Sequence, residues 1–73
     1  MAYMKKSKTI GDTLRTARLN AGLTQHEVGL ACGYNEKYAQ STVARWENGY
    51  RPVPKNKMVT VSKLLNIPIE NLL

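Results

Sequence analysis

Glycines at positions 22, 33 and 49 each follow a short amphipathic run, and this punctuation limits the chain to brief helices joined by tight turns. Glycine adopts the left-handed backbone that closes a helix at little cost. The helix starts are equally explicit. Thr9-Ile10-Gly11-Asp12 has the form of a capping box, and Thr24-Gln25-His26-Glu27 is a stronger one, with Glu27 three residues after the Thr24 hydroxyl. Ile10, Leu14, Ala17 and Ala21 recur at helical spacing, with Arg15 and Arg18 on other faces, so a first helix runs to Gly22. A second spans about residues 24–32, with Val28, Ala31 and Cys32 as its stripe.

After Gly33 the polar run Tyr34-Asn35-Glu36-Lys37 reads as a connection. A third helix is expected from about Tyr38 to Asn48, with Ala39, Val43 and Trp46 inward. Its outward face is then Gln40, Ser41, Ala44, Arg45 and Asn48. Pro52 and Pro54 mark a loop. A fourth helix, about Lys55 to Leu65, buries Met58, Val61, Leu64 and Leu65. Pro68 suits a first helical position, so Ile69 to Leu73 forms a short fifth helix. No strand signal occurs, and the expected fold is all-α with five helices.

Seventy-three residues allow one domain, placed at residues 9–73 behind a basic, flexible arm at residues 1–8. A core this small needs close helix packing, a metal, disulfides or a partner. The single cysteine, Cys32, excludes an internal disulfide, and one cysteine, one histidine and five acids do not supply a four-ligand zinc site. Nor do they converge on a catalytic constellation, so an enzyme is not expected, and neither is a cofactor or small-molecule ligand. A lone thiol fits a reducing cytoplasm, and no segment has the length of a signal peptide core or membrane span. The net charge of +6 favours a polyanionic partner.

Two short helices separated by a glycine turn, the second polar on its outer face, describe a helix-turn-helix. One helix must lie across the back of the other to hold it out into a groove of DNA. Such a crossing needs small residues, and Gly29 and Ala39 are candidates for the contact.

From about Ile10 to Leu73 the chain resembles the lambda-repressor-like, Cro-type helix-turn-helix domains of the Xre family. The likeness is carried by Leu14-Arg15 and Arg18, by Ala21-Gly22-Leu23-Thr24-Gln25-His26-Glu27-Val28, and by Gly33. It continues through Ser41-Thr42-Val43-Ala44-Arg45-Trp46-Glu47-Asn48-Gly49, Arg51-Pro52, Leu64-Leu65-Asn66-Ile67-Pro68 and Leu72-Leu73. Two departures stand out. Gly29 replaces the usual alanine of helix two, and Gly33 lies about four residues farther from Trp46 than the family's common spacing, about one helical turn. Either the turn is enlarged or helix three gains an N-terminal turn. The reading adopted is a longer turn, with helix three starting near Tyr38.

The resemblance implies a transcriptional regulator, chiefly a repressor, that binds double-stranded DNA as a homodimer on a palindromic operator. It assigns base reading to Gln40, Ser41, Thr42 and Arg45. Backbone contacts fall to Gln25 at a helix N-terminus, to Lys37 and Tyr38, and to Asn48, Tyr50 and Arg51. The plainer alternatives are an ion pair from Arg45 to Glu47 or Glu36, Trp46 and Cys32 as core, and His26 as an exposed surface residue. The rival function is an antitoxin-type interaction module of the same fold. The expected dimer surface is helix five with Ile67, Ile69, Leu72 and Leu73, unless these close the monomer's own core.

Overall fold

Both capping boxes form. In the computed structural model, which describes residues 9–73, the Thr9 hydroxyl accepts from the Asp12 amide at 3.0 Å and the Asp12 carboxylate accepts from the Thr9 amide at 3.5 Å. Thr24 and Glu27 make the same exchange at 3.0 and 2.8 Å. These boxes satisfy amides that have no partner inside the helix, and they start α1 (Ile10–Asn20) and α2 (Gln25–Ala31). The basic arm expected at residues 1–8 lies outside the described residues.

Gly33 ends α2 as expected, with φ at +94°. Its amide donates to the Leu30 carbonyl at 3.0 Å and the Tyr34 amide donates to the Gly29 carbonyl at 3.1 Å, the bond pair of a Schellman cap. The same pair of bonds closes α1 at Gly22 and Leu23.

The third helix departs from expectation. Rather than starting near Tyr38 after an enlarged turn, α3 runs Glu36–Glu47. The cap decides this: the Asn35 side chain accepts from the Tyr38 amide at 3.2 Å, and asparagine is among the best N-cap residues. The four residues by which Gly33 is set back from the family spacing therefore lengthen the helix, not the turn. Lys37 and Tyr38 lie in its first turn, and Asn48 is its C-cap.

A loop leads to α4 (Lys55–Leu65), which stops at Asn66 in the left-handed region. The last segment, Ile69–Leu72, is a 3₁₀ turn with Pro68 as its N-cap, one position earlier than expected. Four residues cannot hold more than about one helical turn, and Leu72 is drawn inward from it. Among the described residues there is no strand.

Val28, Val43 and Val61, one each from α2, α3 and α4, are fully buried, each contributing about 1.5–3 kcal/mol by leaving water. Leu14, Ala17, Cys32, Trp46, Leu65 and Leu72 complete the cluster with Val53, which the loop between Pro52 and Pro54 turns inward. Helix α1 is rotated from the expected stripe. Ile10 and Ala21 are exposed, and its buried face is Gly11, Leu14, Ala17 and Arg18. The cause is tight docking on α3: a Cβ on Gly11 would lie 2.8 Å from the Glu47 carbonyl carbon. Ala31 is also exposed, so α2 is held by Val28, Gly29 and Cys32.

Candidate nucleic-acid interface

Helix α2 lies across the back of α3 at the pair anticipated from residue size. A Cβ built on Gly29 would stand 2.6 Å from the Ala39 Cα and would strike the Ala39 carbonyl. Backbone meets backbone there, which only glycine permits. Ala39 is wholly buried by the crossing, and with Val43 and Trp46 it forms the inner edge of α3. Everything opposite that edge is pushed out.

A second contact fixes the other end of α3. The Glu47 carboxylate accepts from Arg18 Nε at 2.6 Å, from Arg18 Nη2 at 3.2 Å and from Gln25 Nε2 at 3.1 Å. Arg18 Nη1 donates to the Leu23 carbonyl at 2.9 Å. An acid at a helix C-terminus opposes the helix dipole, and the guanidinium offsets it. The network joins α1, the start of α2 and the end of α3. Periodicity places Arg18 off the apolar stripe of α1, and the structure nevertheless buries it. The available signal was spacing, since Arg18 and Glu47 each stand four residues beyond a core position, Leu14 and Val43.

Residues 37, 41, 44 and 48 follow one another at intervals of four, three and four, forming the crest of the outer face of α3. Lys37, Ser41 and Asn48 are exposed on it, and Gln40 and Arg45 are exposed beside it. Thr42 is half-buried on one flank, where it lines a shallow depression with Tyr34, Arg45 and Arg51. On the opposite flank Gln40 shares a depression with Gln25, His26 and Thr24 at the start of α2. His26 is therefore half-buried at this edge rather than an unattached surface residue. Tyr38 and Tyr50 are exposed.

The plainer reading of Arg45 as an ion-pair partner does not hold. Glu47 is taken by Arg18, and that is the single ion pair among the described residues. Gln25, expected at a phosphate, spends one amide donor on Glu47. Tyr50 and Arg51 keep exposed side chains while their backbone amides donate to the Arg45 carbonyl at 2.9 and 3.3 Å.

Behind the crest, Tyr34 packs edge-on against Trp46 at 5.9 Å between ring centroids, and Lys57 Nζ stands 5.3 Å from the Tyr34 ring. Burial pushes the Cys32 thiol up from its ordinary value, with Lys57 pulling partly back. Burial and then Cys32 push the Tyr34 phenol up as well. A buried thiol held protonated is a packing group rather than a nucleophile. Among the described residues no three His, Cys, Asp or Glu side chains are grouped to hold a metal ion. No described helix is long and apolar enough to cross a membrane.

Residues 14–72 match a family model described as helix-turn-helix. No curated protein matches the chain. Among solved structures, the restriction-modification controller protein C.AhdI from Aeromonas hydrophila is similar, with a TM-score of 0.70 and 26% identity over 88% of this chain and 91% of that one.

Proposed function

This chain belongs to the Cro/C1-type helix-turn-helix family and is a DNA-binding transcriptional regulator, and we propose that it acts as a homodimeric repressor on a palindromic operator. Helix α3 of each subunit enters the major groove, which admits one helix. In this reading Gln40, Ser41, Thr42 and Arg45 face base edges. Gln25, Tyr38, Asn48, Tyr50 and Arg51 face sugar and phosphate, while Lys37, expected with them, heads the N-terminal end of the crest.

The observation that carries the reading is an outer face of α3 that is polar and exposed while its inner face is locked at both ends, by Gly29 on Ala39 and by Arg18 on Glu47. A pre-set ridge loses little freedom on binding. The surplus of basic residues supports it, because phosphate contacts dominate affinity and make it fall with salt. One recognition helix makes few base contacts, which favours a dimer on half-sites about one helical turn apart. The likeness to a controller protein supports gene control as the purpose of the contact. No catalytic activity is assigned, and the cytoplasm is the proposed site of action.

Selection of bound duplexes from a random pool tests the whole reading. A two-fold symmetric consensus with half-sites about one turn apart is expected. Recovery of unenriched sequences would sink sequence-specific binding, and an asymmetric single site would sink the dimer.

A further inference from the structure

We infer that Lys37 is a specificity-determining residue that donates to a guanine in the major groove, ahead of the bases met by Ser41 and Arg45. The inference rests on α3 being the recognition helix and replaces a phosphate role for this side chain.

The extra turn of α3 is the starting point. Because Asn35 caps the helix, Lys37 is its second residue and heads the crest that continues through Ser41 and Ala44. In helix-turn-helix docking the N-terminal residues of the recognition helix approach the base edges. Lys37 precedes Ser41 by about 6 Å along the axis, close to two base-pair steps. The two flanks, with Arg51 on one side and Gln25 on the other, are placed to meet the groove walls. Lys37 is on neither flank.

No ion pair explains its position. A cation in the first turn works against the helix dipole. Its neighbour Glu36 is adjacent in sequence and so faces elsewhere, and no carboxylate lies within ion-pair distance of Lys37 among the described residues. What holds it is Tyr38, whose ring centroid lies 5.7 Å from Lys37 Nζ. That contact reduces the freedom of a long side chain without neutralising it.

Chemistry selects the base. The Ser41 hydroxyl donates to the Tyr38 carbonyl at 3.2 Å, so toward the groove Ser41 offers lone pairs. It suits the amino group of adenine or cytosine. Donors at this end of the crest come from Lys37, and guanine O6 and N7 are the acceptor pair that lysine and arginine read.

The test is the random-pool selection repeated with Lys37→Ala, with titrations of the wild-type operator and of random duplex at several salt concentrations. The wild-type consensus should contain a guanine within about two base pairs of the Ser41 position, and Lys37→Ala should make that position degenerate. Affinity for the operator should fall about 5- to 100-fold, with the salt slope and random-duplex binding little changed. Thermal melting should be unaltered or slightly higher, as the dipole argument requires. Equal losses on all duplexes, with the salt slope reduced by about 0.9, would make Lys37 a phosphate contact and overturn the inference. An unchanged consensus and affinity would overturn it too. If the wild-type chain enriches no sequence, the DNA-reading assignment itself fails, which is a separate result.

Discussion

The Arg18 guanidinium grips the Glu47 carboxylate from 2.6 Å across the junction of α1 and α3, with both side chains nearly closed to solvent. Glu47 thus ties the C-terminal end of α3 to α1. Gln25 joins the same carboxylate from α2. The relative positions of three helices consequently depend on one buried charge.

Arg18→Met should leave that charge with only Gln25 and the solvent it can reach. Removing one partner of a buried pair costs about 3–5 kcal/mol, and the remaining Gln25 bond puts the expected loss near the lower end. Urea denaturation measures it. The double variant Arg18→Met with Glu47→Leu should recover most of the loss. A single variant as stable as the wild type would show that the pair does not organise the fold.

Gly29→Ala opposes two effects of different size. Alanine gains about 1 kcal/mol of helix propensity over glycine. Its Cβ would meet the backbone of Ala39, which cannot rotate away, and overpacking of that kind costs about 1–3 kcal/mol. A lower melting temperature is expected, with weaker DNA binding because α3 must shift. A higher melting temperature would show that the crossing has slack.

Arg45→Ala and Arg51→Ala should separate base reading from phosphate contact. Arg45→Ala is expected to cost about 1–3 kcal/mol on the operator and to relax one position. Arg51→Ala should weaken all duplexes alike and lower the salt slope by about 0.9. Filter binding or fluorescence anisotropy at several salt concentrations distinguishes them, and an exchange of the two patterns would reverse the assignments.

Stability should decline at high pH through Cys32. Burial raises the folded thiol above its ordinary value of 9.0, so once pH passes 9.0 the unfolded chain releases a proton that the folded chain retains. Stability is then fully present below that value and is lost as pH rises through the folded value. Tyr34 adds a loss of the same sign at higher pH, since its phenol is raised from 10.0. Urea midpoints from pH 7 to 10 should fall at the top of the range, and Cys32→Ala should delay the fall. Identical profiles for both chains would remove Cys32 as the cause.

Leu72 is core, so a charge there would unfold the chain rather than report on assembly. Within the apolar set of the 3₁₀ turn, Ile69 and Leu73 remain exposed. If that segment forms the dimer surface, Ile69→Asp with Leu73→Asp should give monomers in sedimentation while helicity is retained. An unchanged mass would move the interface elsewhere.

Local signals were legible where the interaction was itself local. The two capping boxes, the glycine stops and the Ala39, Val43 and Trp46 stripe all depend on residues within one or two helical turns of one another. The outer face of α3 followed from the stripe. The start of α3 differs from the expected Tyr38 because Asn35 caps the helix and begins it at Glu36. The rotation of α1 and the burial of Arg18 do not follow from local pattern, because Gly11 and Arg18 both answer to Glu47 on another helix.

By itself, then, the sequence determined that this protein consists of short helices, where the four long ones end, and which edge of α3 faces inward, since caps and helical periodicity act over a few residues. The tertiary structure alone decided how α1 is rotated onto α3 and which charge is buried between them. Those outcomes depend on backbone approach and on the cost of leaving Glu47 unpaired, and neither is a property of any single stretch of chain.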